Sequence, residues 1–79
     1  GDVECTDKYI FLLSHKRQTK SKRNATEVEV YDYQGNPVCL LKLGIAAQHM
    51  LLDRPRQRLL FLSPDDDYVY VANLDLNVK

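Results

Sequence analysis

Residues 27–33 alternate without a break. Val28 and Val30 fall on one side; Glu27, Glu29, Tyr31 and Tyr33 fall on the other. A period of two places successive side chains on opposite faces of an extended strand. Valine and tyrosine suit that geometry, because β-branched and aromatic side chains pack well on a pleated surface. One face of this segment is apolar and needs a cover, and the other is polar. Residues 68–74 repeat the pattern, with Val69 and Val71 alternating against Tyr68 and Tyr70.

Two further segments are apolar without alternating. Tyr9, Ile10, Phe11, Leu12 and Leu13 form one run, and Leu59, Leu60, Phe61 and Leu62 form the other. Short unbroken runs of this kind fit strands covered on both faces. Reading the whole chain this way predicts strands over residues 3–6, 8–14, 27–33, 38–43, 46–52, 58–63 and 68–74. The segment 46–52 contains good helix formers (Ala, Gln, Met and Leu). It is short, however, and runs at once into the turn Asp53-Arg54-Pro55-Arg56-Gln57, so it reads as a strand. Gln34-Gly35-Asn36-Pro37 is turn chemistry, because Gly and Asn tolerate positive φ. Pro37 can open a strand only where its missing N–H is not needed. Gly44 reads as the end of that strand. Pro64 to Asp67 reads as a tight acidic turn.

The expected fold class is therefore all-β, built from antiparallel sheets. At 79 residues the chain is at most one domain. A core of this size rarely supplies more than about 3–5 kcal/mol, so a partner surface would add usefully to its stability. Its 11 basic and 11 acidic side chains balance. That removes any global pull toward nucleic acid or membrane. An apolar share of 44% argues against disorder of the whole chain. No stretch is long and apolar enough to span a bilayer as a helix, and no secretory leader opens the chain. Gly1 reads as the scar of a removed tag or of a cut within a longer protein, so compartment is left open.

The chain resembles itself. Residues 9–14 and 27–33, joined by a loop, match residues 59–63 and 68–74, joined by a turn. A repeat of about 40–50 residues is the spacing of four-stranded propeller blades. Val30-Tyr31-Asp32-Tyr33-Gln34-Gly35-Asn36-Pro37-Val38, followed by a Leu-rich strand, resembles a hairpin of six-bladed, TolB-like propeller proteins of Bacteroidetes. There it joins the third and fourth strands of a blade. The resemblance implies about two β-propeller-like blades, near residues 3–43 and 46–79, with the last outer strand missing or very short. It implies no catalytic residues, and it implies the cell envelope or periplasm as compartment. The alternative architecture is a small β-sandwich or barrel that covers itself.

Few residues suggest chemistry. Lys16, Arg17, Lys20, Lys22 and Arg23 form a basic loop with no acid among them. They are the candidate contact for a polyanion or nucleic acid. No aromatics are interleaved to stack on bases, so a solvated loop tip is the favoured reading and nucleic acid the less favoured partner. Cys5 and Cys39 are too few for a disulfide framework, and buried thiols are favoured over a bridge. His15 and His49 lack ligand spacing; a solvated His15 and a packed His49 are expected. Asp65, Asp66 and Asp67 lack the alternate-position pattern of a calcium loop. Asn24-Ala25-Thr26 matches a glycosylation acceptor, which matters only on a eukaryotic secretory route. Ser14 and Ser63 have no nucleophile-elbow context.

The functional expectation is a non-enzymatic binding or assembly module with no cofactor and no metal. Its expected partners are copies of itself or adjoining blades of a longer protein, because two blades cannot close a ring.

Overall fold

A computed structural model describes residues 2–14, 25–64 and 67–74. Among these, every regular element is a strand: β1 (Val3–Cys5), β2 (Ile10–Ser14), β3 (Ala25–Tyr31), β4 (Pro37–Ala47), β5 (His49–Asp53), β6 (Arg58–Leu62) and β7 (Val69–Asn73). They form two antiparallel sheets, ordered β1-β2-β3-β4 and β5-β6-β7. The all-β expectation is met. Among the described residues the two sheets stay open, which excludes the barrel alternative; two sheets sharing one core are equally what the sandwich alternative describes.

The inner faces follow from the alternation. Phe11 stands opposite Val30, and Leu13 opposite Val28. In the second sheet Met50 stands opposite Phe61, Leu52 opposite Leu59, and Phe61 opposite Tyr70. Phe11, Leu13, Val28, Val30, Met50, Leu59 and Phe61 are buried in one cluster shared by both sheets. Each of these large side chains contributes roughly 1.5–3 kcal/mol when taken fully from water. Tyr9 stacks edge-on against Phe11, with ring centroids 6.4 Å apart. The polar side of β3 turns outward, where the Tyr31 hydroxyl donates to Glu29 Oε1 at 2.7 Å. That bond to a carboxylate raises the Tyr31 pKa.

Most strand ends move by one or two residues from the sequence reading, β3 among them, which spans Ala25–Tyr31 and leaves Asp32 and Tyr33 to the turn; two differences are larger. β4 does not stop at Gly44 but runs through it to Ala47. Gly44 takes φ 74° there, a conformation open to glycine at no steric cost. The β3–β4 register shifts beside it, so β4 carries extra residues that β3 lacks. The segment 46–52 is not one strand. It breaks at Gln48, with Ala47 closing the first sheet and His49 opening the second. The Gln48 N–H donates to the Leu62 carbonyl at 2.8 Å, which ties the crossing to β6. Burial of both Ala47 and Met50 forces the change of direction between them.

The turns behave as their chemistry requires. Asp32 Oδ1 accepts the N–H groups of Gln34 at 2.9 Å and Asn36 at 2.8 Å. Gly35 takes φ 87° within that turn. The turn at 54–57 places Gln57 at φ 55°, its N–H bonded to the Arg54 carbonyl at 3.1 Å.

Candidate interaction surface

The outward alternation of the second sheet defines the site. On its outer face His49 stands opposite Leu62, Leu62 opposite Val69, Leu51 opposite Leu60 and Leu60 opposite Val71. Leu51, Leu62, Val69 and Val71 are 36–53% exposed. A sheet with one face on the core would ordinarily show polar residues on the other. Here Leu51, Leu60, Leu62, Val69 and Val71 make a contiguous apolar patch across all three strands. Its polar boundary is Asp53, whose Oδ2 accepts from Arg58 Nε at 2.9 Å and lies 3.5 Å from Arg56. The Arg58 hydrogen bond holds the Asp53 carboxyl below its ordinary pKa.

The outer face of the first sheet is more mixed. Val3, Val38 and Leu40 are exposed there beside Lys42, and Glu29 is half-buried. Both outer faces thus carry apolar area, and the second sheet carries the more continuous patch.

Among the depressions between the sheets, two bear on the site. One, of about 300 Å³, sits at the end where the turns meet, among Thr6, Asp7, Lys8, Tyr9, Gln57 and Leu74. Thr6 Oγ1 accepts the Tyr9 N–H there at 3.0 Å, and the Tyr33 hydroxyl donates to the Thr6 carbonyl. The other, of about 400 Å³, is an apolar groove between β4 and β7.

The basic residues singled out from sequence, Lys16, Arg17, Lys20, Lys22 and Arg23, lie outside the described residues. So do His15, Asn24, Asp65 and Asp66. His49, expected to be packed, is exposed, because the parity of β5 sends Met50 inward instead. Asp67 is exposed, and Ser14 and Ser63 are half-buried. Cys5 and Cys39 are free thiols, both half-buried. They sit on the two edge strands of the first sheet, three strand spacings apart. At about 4.8 Å per spacing, that is well beyond disulfide reach. Among the described residues no three of His, Cys, Asp or Glu lie together as metal ligands would. No helix among them is long and apolar enough to cross a membrane.

The sequence reading recognised the strands of the patch but not the patch. Its signal was present in the odd-numbered residues of β7 and in the leucines of β5 and β6. Assigning an outer face required knowing which parity the core takes.

No family model matches the chain, and neither a curated protein nor a solved structure is significantly similar to it.

Proposed function

We propose that this chain is a non-enzymatic, β-propeller-like module for binding or assembly, and that the outer face of its second sheet is the contact surface. The observation that carries the reading is the apolar patch of Leu51, Leu60, Leu62, Val69 and Val71. In a propeller, inner blades are covered on both faces by neighbouring sheets, so apolar residues on both faces are what such a blade needs. The approach of β1 to β5 at one side of the sheet stack supports the same reading. Adjacent blades bring their first strands together. The resemblance of Val30 to Val38 to a TolB-like hairpin points the same way.

The magnitudes favour a sheet as partner. Covering what remains exposed of these five side chains contributes roughly 1 kcal/mol each. Association costs about 4–15 kcal/mol in lost rigid-body freedom, so a partner must add contacts beyond the patch. A second sheet, with its own apolar face and edges, does so.

The test is dye binding and light scattering on the chain and on the double variant Leu51→Lys, Leu62→Lys. The unaltered chain should bind an apolar fluorescent dye and form species larger than a dimer as concentration rises. The double variant should lose both properties while keeping its β-type circular dichroism. Equal dye binding and equal scattering would reject this surface as the contact.

A further inference from the structure

The two halves of the chain repeat in register as well as in sequence. In the repeat Leu13 matches Leu62 and Val28 matches Val69, while Phe11 and Val30 match Leu60 and Val71. In the first sheet Leu13 stands opposite Val28, and Phe11 opposite Val30. In the second, Leu62 stands opposite Val69, and Leu60 opposite Val71. Matched residues are thus paired with matched residues, and the two hairpins share one register. Setting Phe11 on Phe61 instead would put Val28 and Val30 on Tyr68 and Tyr70, and Glu29 on Val69. That alignment reverses the polarity of both strands.

The shared register fixes how the faces correspond. Phe11, Leu13, Val28 and Val30 are buried in the core between the sheets. Their matches Leu60, Leu62, Val69 and Val71 lie on the outer patch of the second sheet. Conversely, the core residues Leu59 and Phe61 match Ile10 and Leu12, which sit half-buried on the outer face of the first sheet. Equivalent faces therefore point the same way through the stack. The second sheet follows the first as a repeated step, and it does not face the first as a two-fold partner.

A repeated step has a front and a back. The front of the first sheet is covered by the back of the second. The front of the second sheet is the apolar patch, and the surface that fits it is another back. The chain carries one more such face, on the outside of its first sheet. There Val3, Leu12, Glu29 and Leu40 stand in one row across the four strands, with Val3 and Leu40 exposed.

We propose that copies of this chain stack head to tail, the patch of one seated on the outer face of the first sheet of the next. The inference rests on the assembly reading above, and it names both the partner, a second copy, and the face which that copy uses. The contact continues the interface between the two sheets of one chain by a further step. It joins two different surfaces, so each copy has one of each to offer and the series runs past a dimer. Patch against patch would be isologous, would stop at a dimer and would leave the row of Val3 and Leu40 uncovered. Glu29 is the acid in that row. The Tyr31 hydroxyl donates to it at 2.7 Å, so the carboxylate keeps a hydrogen bond when the next copy covers it.

The test uses two variants that each spoil one face: Leu51→Lys, Leu62→Lys on the patch, and Val3→Lys, Leu40→Lys on the first sheet. In light scattering the unaltered chain should pass the mass of a dimer as concentration rises. Each variant alone should keep the mass of one chain, with unchanged circular dichroism. Their equal mixture, at a concentration where the unaltered chain associates, should reach about twice that mass and stop. One intact patch then meets one intact outer face. A Val3→Lys, Leu40→Lys chain that associates as the unaltered chain does overturns the head-to-tail contact and leaves the patch reading standing. A mixture that keeps the mass of one chain overturns it in the same way. An unaltered chain that is monomeric at every concentration overturns both. Should a double variant unfold, Leu40→Lys or Leu51→Lys alone takes its place in the mixture, and the same outcomes decide.

Discussion

Ala25 and Ala47 stand directly opposite each other, both buried, where β4 leaves the first sheet. Two small side chains at this point let the backbones of β3 and β4 converge. They also leave room for Met50 to enter the core two residues after the crossing at Gln48. Ala47→Leu should cost about 1–3 kcal/mol through overpacking. Chemical denaturation would measure it, and a neutral result would mean that the site holds spare volume.

Leu59 and Leu60 are sequence neighbours on opposite faces of β6. Leu59 is fully buried, and Leu60 is half-buried on the outer patch. Leu59→Ala should cost about 2–5 kcal/mol, the range for a cavity in a core. Leu60→Ala should cost about half as much or less. Equal losses at low protein concentration would show that the outer face is as tightly covered as the core.

Two carboxylates link stability to pH. Asp32 is held below its ordinary pKa of 3.8, first by the Asn36 backbone N–H. Asp53 is held below 3.8 first by the Arg58 hydrogen bond. A depressed folded-state pKa means that the unfolded chain binds the proton more readily. Both contributions are therefore complete above the ordinary value and are lost as pH falls through the folded-state values. The thermal midpoint should drop on acidification across that interval, and Asp32→Asn with Arg58→Ala should flatten the dependence. An unchanged pH profile in that double variant would show that these turns do not carry it.

Gln57 occupies the left-handed region at φ 55° without being glycine. A residue with a Cβ costs roughly 1–2 kcal/mol there, while glycine adds unfolded-state entropy worth about 0.5–1 kcal/mol. Gln57→Gly should therefore stabilise the chain by up to about 1.5 kcal/mol. Gln57→Val should destabilise it, because a β-branched side chain tolerates this φ least. Thermal melts of the two variants would show opposite shifts, and shifts of the same sign would refute the strain.

Much of the fold could be read from residues alone. Val28 and Val30 against Glu27, Glu29 and Tyr31 fix a strand and its two faces, because a pleat has a period of two. Gly35 fixes the turn after it, because few residues tolerate its φ of 87°, and Asn36 adds its N–H to Asp32 Oδ1 rather than a positive φ. Leu59 to Leu62 declare a strand without declaring a face, since leucine and phenylalanine suit either side. Which of them faces the core was decided by the partner strands, Met50 and Leu52 on one side and Tyr70 and Ala72 on the other. The break at Gln48 was equally hidden. Ala46, Ala47 and Gln48 lean locally toward helix and toward neither strand, and only the competition of two sheets for the buried positions Ala47 and Met50 divides the segment. Local chemistry thus determined that this chain is made of strands and where most of them begin. The long-range packing of one sheet on the other decided which side chains stay outside, and with that the apolar patch.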